Sequence, residues 1–290
     1  MSFIRFENVK FTYPLIEGDI DENGNQIIPQ PIFSHFTAEL PKGFVCLVGP
    51  NASGKSTFML LASGRLTPQE GKVYLFNQEM TTCSEEEREK LASFIYQNME
   101  FETDDKVSDL LKFVFTNGFF KGNANKLCAD LKFENKQSEI SYKNSKSFLE
   151  QTIAALELEN ILQNKLNTLS KGEMQRVILA FSMLYGSKSI FMDEPLFALE
   201  TPQKHRALTF IKEYSVSFDI SIYISMHELD LNKTYADNIL LFYPNRDMDF
   251  GTPEEVLTKE ALEKAYGVPA AMLKDTEALT RKTLKEQYES

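Results

Sequence analysis

The segment GPNASGKST at residues 49–57 constrains the fold more than any other part of the chain. It fits the pattern G-x-x-x-x-G-K-[ST]. It lies between a continuous apolar run at 44–48, typical of a strand buried on both faces, and a helical stretch at 57–62. Backbone N–H groups of such a loop can surround phosphate oxygens. A chance glycine turn is the alternative, and the four fixed positions coincide in roughly one chain in a hundred of this length. The segment therefore predicts a site for a nucleoside triphosphate.

Two side chains of this loop have chemistry of their own. The ammonium group of Lys55 is expected to reach the β- and γ-phosphates, and the hydroxyl of Ser56 is expected to bind Mg²⁺. The predicted nucleotide contacts of the loop are Gly49, Pro50, Asn51, Ala52, Ser53, Gly54, Lys55, Ser56 and Thr57.

An acidic pair follows a second apolar run. Residues 189–192 read as a strand and lead into Asp193 and Glu194. A phosphate-loop enzyme needs an acidic residue at the end of a neighbouring strand to hold Mg²⁺. A second carboxylate can act as general base toward the attacking water. Taken alone, such a pair is usually a solvated turn, but the upstream loop favours the catalytic interpretation.

Composition narrows the class of protein. The chain has 290 residues with 31 Lys and Arg against 42 Asp and Glu, so its formal charge is −11. This balance argues against a sequence-independent nucleic-acid binder, although a local basic patch would be compatible with it. No apolar run approaches the roughly 20 residues that cross a bilayer. The three cysteines and three histidines argue against a disulfide framework and a His-based metal site, and they favour a reducing compartment.

The remaining pattern alternates strands and helices. Strand-like runs occur near 1–13, 189–192, 220–225 and 238–242, and these predict an α/β sheet with connections on both faces. Residues 85–165 are rich in Lys, Glu and Asn and have helical spacing, which indicates a mostly helical insertion. Residues 251–290 are predicted to form a helical tail.

Five short motifs follow the phosphate loop in a recognisable order. They are YQ at 96–97, LSKGEMQR at 169–176, FMDEP at 191–195, ALE at 198–200 and SMH at 225–227, with Tyr13 in FTYP upstream of the loop. Together they make the chain resemble the ATP-binding cassette (ABC) family over most of residues 3–250. In that family the motifs correspond to the Q-loop, the signature, Walker B, the D-loop and the switch-histidine loop.

The resemblance implies a fold and a domain layout. The fold is α/β, a P-loop NTPase (RecA-like) core with an antiparallel β edge and an inserted α-helical subdomain. The core is expected at 1–97 and 170–250, the helical signature subdomain at 98–169, and the C-terminal helical tail at 251–290.

The resemblance also implies roles for individual residues, with ATP and Mg²⁺ as cofactors. Lys55, Glu194 and His227 would be catalytic, with Glu194 activating water and His227 contacting the γ-phosphate. Tyr13 would stack on adenine, and Ser56, Gln97 and Asp193 would hold Mg²⁺. Ser170, Gly172 and Glu173 would lie at the γ-phosphate bound by a second ATPase subunit, so that two copies clamp two ATP molecules. Tyr13 and Gln97 have ordinary alternatives, a strand aromatic and a loop amide.

Three positions depart from the family pattern. Ala52 stands where glycine is usual, which would cost about 1 kcal/mol or more if its φ is positive. Glu173 replaces glutamine and adds negative charge near a docking γ-phosphate. We expect Lys171 to offset that charge, or Glu173 to turn back onto the backbone as a capping-box partner. Glu200 replaces the aspartate of the D-loop. None of the three removes a catalytic group, so hydrolysis is expected.

Three functions are compatible with such a cassette. The first is the ATPase subunit of a transporter whose permease subunits are separate chains, peripheral on the inner face of the cell membrane. The second is a soluble ABC ATPase of the assembly type, as in iron–sulfur biogenesis. A regulator that does not hydrolyse ATP is disfavoured by Glu194 and His227. A nucleic-acid partner is not expected.

Two further segments bear on function. The tail at 251–268 is similar to the ends of bacterial importer cassettes, notably those for iron chelates, cobalamin or zinc. The acidic loop at 15–31 is interpreted either as a solvated surface hairpin or as a segment that flanks the nucleotide entrance.

Overall fold

The computed structural model describes residues 3–18, 20, 24–122, 147–270 and 273. Within these residues the strands are β1 (Ile4–Phe11), β2 (Phe33–Leu40), β3 (Phe44–Val48), β4 (Glu70–Leu75), β5 (Gln78–Glu79), β6 (Ser93–Ile95), β7 (Ser189–Asp193), β8 (Ser221–Ser225), β9 (Asn238–Phe242) and β10 (Met248–Gly251). The helices are α1 (Lys55–Ala62), α2 (Glu85–Leu91), α3 (Val107–Asn117), α4 (Phe148–Ala155), α5 (Lys171–Tyr185), α6 (Thr201–Phe218), α7 (Leu229–Tyr235), α8 (Pro253–Val256) and α9 (Lys259–Tyr266).

A six-stranded sheet carries the centre of the molecule, in the order β10-β9-β3-β8-β7-β6. Its strands run parallel except for β10, which is antiparallel to β9. Strand β3 lies between β8 and β9, with Cys46 opposite Ile224 on one side and Ile239 on the other. The carboxyl ends of β3, β7 and β8 therefore meet at one edge, where α/β sheets bind ligands.

A second sheet of four strands is antiparallel, in the order β2-β1-β4-β5. Strand β1 pairs with β2 and with β4, so that Ile4 lies opposite Leu40 and Leu75. This sheet confirms the predicted antiparallel edge. Strand β2 was not predicted, because its residues follow no clean two-residue alternation and its middle is exposed.

The large sheet separates two apolar clusters. Alternate residues of β3 point to opposite faces, as the period of a strand requires. Cys46 packs on the side that contains α5 and α6. Leu47 packs on the other side, with Phe58 of α1 and Phe6 of the antiparallel sheet. All five residues of β3 are buried, as predicted for a strand covered on both faces.

Helices α3 and α4 lie in the chain between β6 and α5, and both pack against α5. An isolated bridge between Lys106 and Lys165 joins the two ends of this segment. The expectation of a mostly helical stretch from 85 to 165 needs one correction, since β6 within it is a strand paired with β7. A three-residue strand is too short to show a periodic pattern. Residues 123–146 lie outside the described part.

Two predicted surface segments are partly described. In the 15–31 loop, Ile20 bridges Gln26, whose Nε2 donates to Ile16 O at 2.9 Å, and the side chains around them are exposed. This part agrees with a surface hairpin. In the tail, Gly251 still belongs to β10, α8 and α9 are two short helices, and residues 274–290 lie outside the described part. Among the described helices, none combines the length and the apolar character that crossing a membrane requires.

Candidate functional site

The phosphate loop connects the end of β3 to the start of α1. Gly49 has φ of 145°, and a Cβ atom there would lie 2.6 Å from Phe242 O, so the close approach to β9 requires glycine. Gly54, with φ of 106°, is the N-cap of α1 and leaves the first amides of the helix free of a side-chain cap. The loop therefore offers the partial positive charge of a helix N-terminus to a ligand.

The Lys55 side chain folds back onto its own loop. Its Nζ donates to Gly49 O and to Pro50 O, both at 2.8 Å. Burial lowers the pKa of Lys55, while the carboxylates of Asp193 and Glu194 oppose that shift. The ammonium group is thus bound by its own loop and is within electrostatic reach of the acidic pair.

A buried hydroxyl in the loop fits the predicted ligand. Ser53 Oγ is buried and has no hydrogen-bond partner within the described protein. A buried polar atom without a partner costs about 1–3 kcal/mol, so such atoms usually serve a bound group. The cradle of backbone amides and this hydroxyl match the donors that a phosphate chain needs.

Ala52 adopts φ of 60°, the left-handed conformation. The sequence alone did not determine the sign of this angle. In the structure the angle is positive, which is the conformation that costs free energy. The Cβ of an L-residue is crowded there by about 1–2 kcal/mol. Ala52 is exposed, so the strain arises from the backbone and not from packing.

The acidic pair lies at the end of β7. Asp193 is buried, and its Oδ1 accepts a hydrogen bond of 2.6 Å from Ser225 Oγ at the end of β8. The same Ser225 Oγ accepts from Glu194 N at 3.0 Å. Glu194 has φ of 49°, a strained angle that turns the chain just after the strand. Ser225 therefore links the two strand ends, and it fixes the carboxylate of Asp193 and the backbone of Glu194.

The carboxylate of Glu194 is held from two sides. Gln97 Nε2 donates to its Oε2 at 2.9 Å, and His227 Nε2 lies 2.7 Å from its Oε1. The hydrogen bond from His227 lowers the pKa of Glu194, and the contact in turn raises the pKa of His227. Three residues predicted from three separate motifs thus meet at one carboxylate.

The predicted metal ligands supply oxygen atoms of three kinds. Ser56 offers a hydroxyl, Gln97 an amide oxygen and Asp193 a carboxylate, which is the hard donor set that Mg²⁺ takes. Within the described ranges, no group of three or more His, Cys, Asp or Glu side chains could hold a metal ion by itself.

Tyr13 lies beside the first turn of α1. Its Oη is 3.1 Å from Thr57 Oγ1, and its ring meets Phe11 edge-on at 5.0 Å. The side chain is 41% exposed, so one surface of the ring is open to solvent. The structure places this aromatic next to the phosphate loop, at a position from which it could cover a base.

The signature residues lie at the start of α5. Ser170 Oγ donates to Glu173 Oε2 at 2.7 Å, and Ser170 N donates to the same oxygen at 2.8 Å. Glu173 therefore turns back as a capping-box partner, one of the two arrangements that the sequence allowed. A Cβ on Gly172 would lie 3.0 Å from Ala198 O, so the signature closely approaches the D-loop. In the D-loop, Glu200 is the N-cap of α6.

Known proteins match this chain over the same motifs. The family model described as ABC transporter matches residues 35–197, which is more than half of the chain. The chain belongs to the ABC transporter family. The match includes the phosphate loop, the signature and the acidic pair.

Curated relatives of this ABC transporter chain are import proteins. The petrobactin import ATP-binding protein YclP of Bacillus subtilis (strain 168) is 26% identical over 219 residues, which cover 76% of this chain and 80% of that protein. The hemin import ATP-binding protein HmuV of Escherichia coli O157:H7 is 26% identical over 237 residues, covering 80% of this chain and 84% of that protein.

Solved structures of the ABC type confirm the fold. An ABC transporter of the metal-chelate type, in an inward-facing conformation, gives a TM-score of 0.62 at 20% identity and covers 93% of this chain and 90% of its own. The ATP-binding cassette MJ0796, dimeric and bound to ADP and phosphate after hydrolysis, gives a TM-score of 0.59 at 20% identity, covering 82% and 94%. The predicted P-loop NTPase fold is therefore confirmed.

Two contacts of this ABC site were not predicted from the sequence. Ser225 was noted only as part of a motif, and a polar residue at the end of a buried strand would have been the signal for its role. Tyr266 of α9 accepts a hydrogen bond from Gly49 N at 3.2 Å, across 217 residues of chain. No local pattern could have revealed that contact.

Proposed function

We propose that this chain is the ATP-hydrolysing subunit of an importer that carries iron bound to an organic chelator or to a porphyrin. ATP binding and hydrolysis coupled to transport follow from the family. The observation that carries the catalytic part is the carboxylate of Glu194, held between Gln97 and His227 beside the phosphate loop. The cargo is inferred from relatives that import petrobactin and hemin.

The chemistry assigned to the site is hydrolysis of the γ-phosphate. Lys55 leaves the carbonyl oxygens of its loop and binds phosphate oxygens. Glu194 accepts the proton of the attacking water, His227 contacts the γ-phosphate, and the products are ADP and phosphate. Tyr13 stacks on the adenine. Ser56, Gln97 and Asp193 would hold Mg²⁺, which would supply positive charge to the phosphate oxygens.

A second copy of the chain completes each site in this proposal. Ser170 and Gly172 are exposed or half-exposed at the N-terminus of α5, and the hydrogen bonds of Ser170 go to Glu173 of the same turn. A helix N-terminus attracts an anion, so this end of α5 is suited to the γ-phosphate of an ATP held by the other subunit. A dimeric cassette among the solved neighbours supports the arrangement.

A groove of about 550 Å³ is proposed as the place where the permease docks. It lies between residues 98–102, which follow the Q-loop, and the start of α5. Phe101, Met174 and Phe197 line it, and Phe197 is largely exposed. A groove next to Gln97 with apolar side chains among polar ones is suited to an amphipathic helix from a membrane subunit and would couple that helix to the site.

The domain division and the location belong to the same proposal. The catalytic core comprises 1–97 and 170–250, the helical signature subdomain 98–169, and the tail 251–290. A cassette that docks on a permease works on the inner face of the membrane as a peripheral subunit. The assembly-type alternative is not favoured, because the curated relatives described above are import proteins.

Phosphate release by the purified chain tests the catalytic part. With Mg²⁺ and ATP, the wild-type chain is expected to release phosphate, and Lys55→Ala is expected to lose nearly all ATP binding because the loop then has no cation for the phosphates. A Lys55→Ala variant with wild-type affinity for ATP would overturn the assignment of the loop.

Co-purification from detergent-solubilised native membranes tests the transport part. The tagged chain is expected to bring down an integral membrane protein, and Phe101→Asp is expected to lose it. Phe250→Asp is the matched control, because Phe250 is 41% exposed against 37% for Phe101 and lies on β10, at the opposite edge of the large sheet. Equal recovery with all three proteins would refute docking in the groove.

A further inference from the structure

We propose that Tyr266 is a positioning residue for the nucleotide, and that its hydroxyl keeps the first peptide of the phosphate loop in place. This inference rests on the proposed function, since it concerns the same ATP site. It assigns a role in that site to the tail, which carries none of the sequence motifs.

Tyr266 contacts Gly49 directly, and the packing of α9 holds the tyrosine in place. Gly49 N donates to Tyr266 Oη at 3.2 Å. Tyr266 is the last residue of α9, and its ring packs against the core. Leu262 and Ala265 of the same helix are buried, so the helix presents the tyrosine from a fixed face.

Further contacts hold α9 against the sheet next to the loop. Thr258 caps the helix by accepting from Ala261 N, and Gly267 ends it with φ of 67°. Lys264 Nζ lies 4.3 Å from the centre of the Tyr243 ring, directly after β9. The hydroxyl of Tyr266 therefore cannot drift from Gly49 without displacing the helix.

Gly49 is held at both of its backbone polar atoms, which belong to the two peptide groups on either side of its Cα. Tyr266 Oη accepts from its N–H, while its carbonyl oxygen accepts from Lys55 Nζ at 2.8 Å. On the β9 side Phe242 leaves no room even for a methyl group. When ATP draws the ammonium of Lys55 to its phosphates, the bond to the carbonyl is lost and the bond to Tyr266 remains.

The consequence is a specific effect on nucleotide affinity. Without the hydroxyl, the Gly49 N–H has no partner, and the loop loses the hydrogen bond that fixes its first peptide while ATP is bound. The proposed base, Glu194, follows β7 directly and is bonded through its backbone to Ser225 at the end of β8, and the change touches neither strand. Binding of ATP should weaken while the chemical step stays the same.

The test is Tyr266→Phe, which removes one oxygen atom and keeps the ring. The dissociation constant of a fluorescent ATP analogue and the KM for ATP are expected to rise about 3–10-fold, the usual effect of one hydrogen bond, with kcat within twofold of wild type. Tyr223→Phe is the matched control, because its hydroxyl donates to Pro41 O at 2.8 Å at the opposite end of β3. Thermal melts of both variants separate affinity from stability.

The outcomes are distinguishable. An unchanged dissociation constant for Tyr266→Phe, an equal rise in Tyr223→Phe, or a fall in kcat at constant KM would each overturn the positioning role. Failure of the wild-type chain to bind or hydrolyse ATP would instead overturn the proposed function.

Discussion

The carboxylate of Glu194 and the imidazole of His227 form a 2.7 Å hydrogen bond between Oε1 and Nε2. An ionised carboxylate only accepts hydrogen bonds, so Nε2 carries the proton. The contact lowers the pKa of Glu194 and raises the pKa of His227. In the absence of nucleotide, the predicted general base and the predicted γ-phosphate contact are therefore bound to each other.

The titration of His227 tests this relationship. Its imidazole is expected to titrate with a midpoint above 6.5 in the nucleotide-free chain, and the midpoint should fall in Glu194→Gln, where the charge of the partner is gone. Nuclear magnetic resonance of the imidazole C–H groups measures both values, with His227→Gln to assign the signal. Equal midpoints in wild type and Glu194→Gln would contradict the contact.

The same pair makes stability depend on pH in both directions. The contribution of His227 to the free energy of unfolding is complete below pH 6.5. It disappears as the pH rises through the raised pKa of that residue. For Glu194 the contribution is full above 4.5 and disappears as the pH falls through the lowered pKa. The interaction is therefore strongest at mildly acidic pH, between 4.5 and 6.5.

Glu194→Gln should uncouple ATP binding from turnover. The amide keeps the size of the side chain but cannot accept a proton from water, so hydrolysis is expected to slow at least about 100-fold. The affinity for ATP should stay close to wild type, because Lys55 and the loop amides are unchanged. Single-turnover assays and equilibrium binding measure the two quantities, and undiminished turnover would exclude Glu194 as the base.

Ala52→Gly should stabilise the nucleotide-free chain. Glycine avoids the cost of about 1–2 kcal/mol at the φ of 60°. It also makes the unfolded chain more flexible, which opposes folding by about 0.5–1 kcal/mol. The expected gain is about 0.5–1 kcal/mol in the free energy of unfolding. Denaturant titration measures it, with Ala154→Gly in the last turn of α4 as a control of opposite sign. A loss of stability in Ala52→Gly would refute the strain.

Glu173→Gln should strengthen ATP-driven dimerisation. Hydrogen bonds from Ser170 lower the pKa of Glu173, so the side chain is charged where a γ-phosphate would dock. Glutamine can still accept from Ser170 N, which keeps the helix cap and removes the charge. Sedimentation in the Glu194→Gln background, where ATP persists, is expected to show dimers at lower protein concentration. Unchanged or weaker association would mean that the charge does not matter.

Strong local patterns allowed much of the fold and site to be predicted. Strand β3, the phosphate loop and the acidic pair combine a fully buried strand with glycine and charge at fixed positions, and the structure has each of them where expected. Short or irregular elements such as β2 and β6 acquire their conformation from pairing partners distant in the chain. The φ of Ala52 and the contact of Tyr266 with Gly49 could not be predicted from the sequence. Both depend on surroundings that no local pattern encodes.

Strand β6 has one neighbour in the described sheet, β7, and Gln97 follows it by two residues before the helical segment begins. Asp193 and Glu194, by contrast, are tied through Ser225 to the interior of the sheet. A pull exerted on the helical segment therefore reaches the amide of Gln97 first, and through its 2.9 Å hydrogen bond it reaches the carboxylate of Glu194. A load on the outer rim of the molecule can in this way act on the orientation of the predicted general base, while Asp193 stays bonded to Ser225.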